Sequence, residues 1–377
     1  MRVLVLHSTY LSGAMSGENR VVDDEVALLT RAGHDVIAWA PSVVDPGRRL
    51  RTAANAIWSR HEAANVRRLI RDHQPEVVHV HSLYPQLSPA VIRAAAGFDA
   101  PILMTLHNFR LMCLPATFLR NGEICESCAG HVPWRGVAHG CYRGSRAASA
   151  VMASSLTVHR LARTFDHVKL FLAVSDFARR TYVDYGLDES RIRIKGNFSW
   201  PLPQRQGAGE DFLYLGRLSP EKGVERAISA TRDHASLIVV GDGPERNRLR
   251  LSAGKRVRFE GSVEPSEIPT YLSSSRALLV PSRCYEGAPR AIIEAFAAGV
   301  PVIASRLGGL GELIEEGVNG LLVEPDDEVG WREAVERLMD DDESRRMGRG
   351  AHETWRERFS PARATSQLEE AYAAARR

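Results

Sequence analysis

No stretch of this chain is apolar for long enough to cross a bilayer, and none is of low complexity. A helical membrane protein and a disordered linker protein are therefore both excluded. Cysteine is scarce, with five in 377 residues, too few for a small disulfide-stapled scaffold. Aromatics make up 7%, and no stripe of Arg and Lys is interleaved with them, so no nucleic-acid surface is expected. An excess of either charge is lacking too: 49 Lys and Arg stand against 46 Asp and Glu. The opening Met1–His7 is too short for the core of a secretory leader and reads as a first strand, so a cytoplasmic location is expected.

The near balance hides an asymmetry. Residues 1–200 carry 24 basic and 17 acidic side chains, and residues 201–377 carry 25 and 29. The basic group Arg48, Arg49 and Arg51, followed by Trp58, Arg67, Arg68 and Arg71, could make weak peripheral contact with an anionic membrane. An exposed helix face accounts for it more simply. Asp23-Asp24-Glu25 and Asp340-Asp341-Asp342 likewise read as solvated helix positions.

What the chain does have is alternation. Short β-branched runs recur between helical patterns, the signature of α/β layers with parallel sheets. The expected strands are Val3–Leu6, Val36–Trp39, Val77–Val80, Ile102–Leu106 and Leu170–Val174, then Phe212–Leu215, Leu237–Val240, Val257–Glu260, Ala277–Val280, Val302–Ala304 and Leu321–Val323. The length suits two domains. Prolines and glycines cluster without period over Phe198–Gly209, which reads as a linker. The expected domains are 1–200 and 201–360, with an amphipathic helix over 361–377.

Four of the five cysteines, Cys113, Cys125, Cys128 and Cys141, fall in one loop spanning 109–144, too long to order itself by packing alone. Their spacing fits a structural zinc site, with free thiols or disulfides as the alternatives. His79 and His81 share one face of a strand and could imitate metal ligands, but a core-facing role is the simpler reading.

The densest chemistry lies in the second half. Gly216-Arg217-Leu218-Ser219-Pro220-Glu221-Lys222-Gly223 follows a strand, where Arg217 and Lys222 could hold a diphosphate and neutralise charge on a leaving group. Gly241 and Gly243 form the next strand-to-helix turn and allow a ligand close to the backbone. Ser282 ends another strand, either near a base or ribose or as a loop cap. Glu286 then precedes Gly287-Ala288-Pro289-Arg290, where a helix starts, and Glu294 lies about a turn and a half inside it. Free N–H groups at that start suit a phosphate, and the two carboxylates suit sugar and ribose hydroxyls.

The pair of motifs, Gly-Arg-x4-Lys-Gly and Glu-x7-Glu, resembles retaining glycosyltransferases of the family 4 type. The resemblance implies two Rossmann-like domains facing each other across a cleft (the GT-B fold), with the terminal helix returning to the first. It implies a sugar moved from a nucleoside diphosphate sugar to an acceptor hydroxyl, without a catalytic metal. The acceptor would be a glycan, a lipid-linked saccharide or a small natural product. Residues Ser12–Asn19 match the family's first glycine-rich loop, with Ser16 in place of one glycine, which makes Gly17 a donor-side residue. His107, ending the strand Ile102–Leu106, would touch the donor sugar and favour its developing positive charge. Gly308–Gly311 matches a later glycine loop. The cysteine-rich loop stands outside the general family pattern. The alternatives are a sugar-nucleotide epimerase of the same fold, which would act on the donor alone, and a non-catalytic carbohydrate-binding scaffold.

Overall fold

The computed structural model describes residues 1–9, 17–41 and 49–377. Most of the loop Ser12–Asn19, and Arg48 of the basic group, lie outside the described residues. The strands are β1 (Arg2–Leu6), β2 (Asp35–Trp39), β3 (Val77–Val80), β4 (Ile102–Leu106), β5 (Leu119–Arg120), β6 (Glu123–Ile124), β7 (Val168–Ala173), β8 (Ile192–Ile194), β9 (Asp211–Leu215), β10 (Leu237–Val240), β11 (Val257–Gly261), β12 (Ser275–Val280), β13 (Val302–Ser305) and β14 (Gly320–Val323). Contacts divide the chain into two units. One holds 1–118, 125–195 and 365–377; the other holds 119–124 and 196–364. No described helix is long and apolar enough to cross a membrane.

The first unit is built on a six-stranded sheet ordered β2-β1-β3-β4-β7-β8. Every pairing is parallel. Parallel strands covered on both faces must be apolar throughout, and all four residues of β3 and all five of β4 are buried. His79 in β3 and Thr105 in β4 are the polar exceptions, and they meet, His79 Nε2 lying 2.8 Å from Thr105 Oγ1. The helices carry their own start signals. Ser59 and Ser145 cap Arg60–His73 and Arg146–Leu161 by accepting backbone N–H bonds from Glu62 and Ala148. The helix Pro361–Arg376 contributes its residues from Thr365 onward to this unit. There Tyr372 Oη lies 2.8 Å from His79 Nδ1, and Arg376 pairs with Glu76 at 3.0 Å.

The second unit repeats the plan with the order β11-β10-β9-β12-β13-β14, again wholly parallel. Its core gathers Phe212, Leu237, Val239, Leu279 and Ile303 around the fully buried Trp331. The chain runs outward from β9 through β10 to β11, then restarts at β12 on the other side of β9. At such a reversal the loops leaving adjacent strands part, opening a crevice at the strands' carboxyl ends where open α/β sheets take ligands.

Differences from the sequence reading are local. β8 and the two-residue hairpin β5–β6 carry no pattern long enough to announce them. The stretch read as a linker is fastened to the second unit. Arg205 N donates to Ala298 O at 2.8 Å, and its guanidinium reaches Ala208 O, Arg276 O, and the hydroxyl and carbonyl of Ser344, all within 2.8 Å. Arg205→Met removes this fork and leaves carbonyls unpaired, so thermal or urea unfolding should show a loss of about 2–3 kcal/mol.

Candidate active site

Three loops at the carboxyl end of the second sheet are held together by glycine. Gly241, after β10, has φ +137°, and a Cβ there would lie 1.8 Å from Gly216 O on the loop after β9. Gly223 has φ +62°, and a Cβ there would lie 2.1 Å from Pro281 O on the loop after β12. No side chain fits either place, so the β9 loop touches the β10 loop on one side and the β12 loop on the other. The second of these contacts spans the reversal point.

Charged groups meet across that contact. Lys222 closes the short 3-10 turn Pro220–Lys222, and its Nζ donates to Glu286 Oε1 at 2.5 Å. Ser282 Oγ donates to the same oxygen at 2.7 Å. Burial works against the Lys222 charge, but Glu286 outweighs it, and the ammonium pKa moves up. Lys222 is therefore charged at any physiological pH. Arg217, on the same loop, is exposed, and among the described residues its guanidinium has no partner. The loop's shape is fixed from below, where Tyr214 Oη donates to Arg217 O at 2.8 Å. One cation is thus locked beside a carboxylate, and a second stands exposed on the same loop.

The helix behind this group runs Arg290–Ala297, with Pro289 as its N-cap. Its approach is pinned at both ends. Gly309 N donates to Glu286 O at 2.8 Å, and Asn197 Nδ2 donates to Ala288 O at 2.8 Å. Gly287, Ala288 and Pro289 are therefore positioned backbone. One turn on, Arg290 Nε donates to Glu294 Oε1 at 2.8 Å, and Glu294 is only 4% exposed. Ser282, read from sequence as a nucleotide contact or a cap, holds Glu286. Tyr214 and Asn197 were not singled out by sequence. The hydroxyl of Tyr214, set in the apolar run Phe212–Leu215, was the one available signal.

The first unit holds its own small concavity, lined by Glu18, Ser82, His107, Asn108, Arg110 and Tyr182 together with apolar side chains such as Met104 and Leu111. Ser82 Oγ and Asn108 Nδ2 donate to Glu18 Oε1 at 2.8 and 3.0 Å, and burial raises the Glu18 pKa. Gly17 begins the helix Gly17–Arg31, and among the described residues beyond its own helix turn nothing lies within 4 Å of where a Cβ would be. His107 leaves β4 into this concavity, and its Nε2 lies 2.8 Å from His81 Nδ1. Burial holds His107 well below the usual histidine range, so the ring is neutral.

Beneath it lie Glu25, His79 and His81, the only group of three or more potential metal ligands within mutual reach among the described residues. The cation it faces is Lys195, whose Nζ donates to Glu25 Oε2, both residues being 1% exposed. The solvated reading of Asp23-Asp24-Glu25 therefore fails at Glu25: Asp23 is exposed, but Glu25 turns into the core. Cys113, Cys125, Cys128 and Cys141 do not form such a ligand group. Cys113 is buried, and its thiol pKa is pushed up to about 11 by burial.

Two family profiles cover most of the chain between them. "Glycosyltransferase Family 4" matches residues 15–198, and "Glycosyl transferases group 1" matches residues 209–341. The chain belongs to glycosyltransferase family 4. Relatives in the family include the glycogen synthase of Mycobacterium tuberculosis, 26% identical over all of this chain and 95% of that protein. A GDP-mannose-dependent alpha-mannosyltransferase of Corynebacterium glutamicum is 28% identical over 81% of this chain and 69% of its own length. Among solved structures, HepE of Anabaena in complex with UDP and glucose matches with a TM-score of 0.69 at 18% identity, covering 99% of this chain and all of that one. The fold is that of GT-B glycosyltransferases.

Proposed function

We propose that this glycosyltransferase moves a hexosyl group from a nucleoside diphosphate sugar to an acceptor hydroxyl with retention of anomeric configuration. The observation that carries the reading is the meeting of Lys222, Ser282 and Glu286 at the reversal point of the second sheet, beside the unengaged Arg217. A diphosphate there would be gripped by Arg217 and Lys222, with amide groups from Ala288–Arg290 at the helix start. Glu286 would bind hydroxyls of the donor sugar, and Glu294 those of the ribose. Gly216, Gly241 and Gly243 would let the nucleotide approach the backbone. His107 would contact the sugar; as a neutral ring it adds no charge against a developing oxocarbenium ion. The acceptor hydroxyl would attack from the face the phosphate leaves, and the departing phosphate would take its proton. The acceptor is a glycan, a lipid-linked saccharide or a small natural product.

UDP, GDP and ADP sugars, tested singly by thermal shift, should give one clear stabilisation. A ligand at a hundred times its dissociation constant adds about 2.7 kcal/mol. Proton NMR of the product formed from that donor should then show the donor's own anomeric configuration. Lys222, held by Glu286, and Arg217, recruited by the ligand, would neutralise the leaving group in place of a divalent ion, so the initial rate should persist in EDTA. Inversion at the anomeric carbon, or a rate abolished by EDTA and restored by magnesium, would overturn the mechanism.

A further inference from the structure

The buried groups under His107 form a line. Glu25 Oε1 and His81 Nε2 are both sealed from solvent, and neither has a hydrogen bond of good geometry, yet they lie 3.4 Å from each other. On its other side, His81 Nδ1 faces His107 Nε2 at 2.8 Å, with the ring centres 5.1 Å apart and the ring planes 24° from parallel. A carboxylate only accepts, so the two unsatisfied atoms are reconciled when His81 carries its proton on Nε2. Its Nδ1 is then bare, and the proton in the 2.8 Å contact must come from His107 Nε2. A doubly protonated His81 would reverse this order. It would also put a second buried cation against one carboxylate that Lys195 already neutralises, which is costly. His79 Nδ1 lies 3.2 Å from the same Glu25 oxygen, but it meets the Tyr372 hydroxyl more closely, at 2.8 Å, and its Nε2 meets the Thr105 hydroxyl at 2.8 Å; with the Tyr372 O–H donating to Nδ1, Glu25 Oε1 is left to His81.

We infer that Glu25 is a positioning residue: acting through His81, it fixes the His107 proton on Nε2, so that His107 offers an unprotonated Nδ1 as a hydrogen-bond acceptor. Among the described residues no protein group takes that Nδ1, and His107 lines the concavity of the first unit. The atom can therefore receive the O–H of a sugar. That use rests on the function proposed above; the proton order itself does not.

The test reads protons directly. Histidine labelled with nitrogen-15 is incorporated, and two-bond proton–nitrogen spectra are recorded on the whole protein at pH 7.5 without donor or acceptor. Wild type should show His107 and His81 each as the Nε2–H tautomer. Glu25→Gln can turn a donor toward His81, so it should shift His107 to a mixture of tautomers or to Nδ1–H. His81→Phe should release the His107 preference while leaving the Glu25–Lys195 pair in place. An Nδ1–H His107 or an imidazolium at His81 in wild type would overturn the inference. An unchanged His107 in a folded Glu25→Gln protein would do the same. Because no substrate is present, failure here is distinguishable from failure to transfer a sugar.

Discussion

Arg217→Ala and Lys222→Ala should each lower turnover about a hundred- to a thousandfold, the usual cost of removing one fixed donor from a developing anion in a water-poor site. Folding should survive both changes. Arg217 is exposed and unengaged, so its loss breaks nothing in the resting protein. Lys222 leaves behind Glu286, which keeps the Ser282 hydroxyl at 2.7 Å as a partner. Circular dichroism and the thermal midpoint should stay close to wild type while kcat collapses. The two losses should also separate. Glu286 holds Lys222 in place before any ligand arrives, so Lys222→Ala should weaken donor binding less than it slows chemistry. Arg217→Ala should affect KM and kcat together, because this side chain must be recruited by the ligand. Near-normal turnover in both variants would remove the assigned roles.

Lys195→Met should unfold the protein early. It strips the ammonium from a carboxylate that is 1% exposed and leaves an uncompensated buried charge. Breaking such a pair on one side costs about 3–5 kcal/mol, a drop of roughly 10 °C in the midpoint for a unit of this size. The double variant Glu25→Leu/Lys195→Met removes both charges and should recover most of the loss. A double variant no more stable than the single one would show that the pair is not the source.

Acid should probe the same region in wild type. Burial pushes the Glu25 carboxyl up, but the Lys195 ammonium foremost, with the His81 N–H, holds it well below the usual carboxylate range. Its stabilisation is present above the ordinary value of 4.5 and is lost as pH falls through the folded value. The buried histidines act earlier. Burial holds His79 and His107 well below 6.5, and brings His7 down to about 4. Unfolded chains take up these protons first, so stability declines once pH drops below about 6.5. The midpoint should be level from pH 8 to 7 and fall steadily toward pH 5.

The strands were legible because of where they sit. Val77–Val80 and Leu237–Val240 are covered on both faces, and only apolar residues tolerate that, so their bounds show in the sequence. β8 was not legible: it has three residues, two of them exposed. In the site, loops carrying Arg217, Lys222 and Glu286 stood out because glycine and fixed charge at strand ends have few other uses. What escaped was partnership between side chain and backbone. No local pattern says that Ser282 serves Glu286, that Tyr214 props the carbonyl of Arg217, or that Arg205 ties a proline-rich stretch to Ser344. Glu25 was misread for a related reason. It follows two aspartates on a helix, and only the fold brings Lys195 to it from 170 positions away.

The seating of Tyr372 against His79 has a consequence for biosynthesis. The strands of the first unit lack their closing helix until the whole second unit has been translated. During that interval the His79 side of its core has no lid, and the nascent chain must wait, unsealed, for a tyrosine 293 positions downstream.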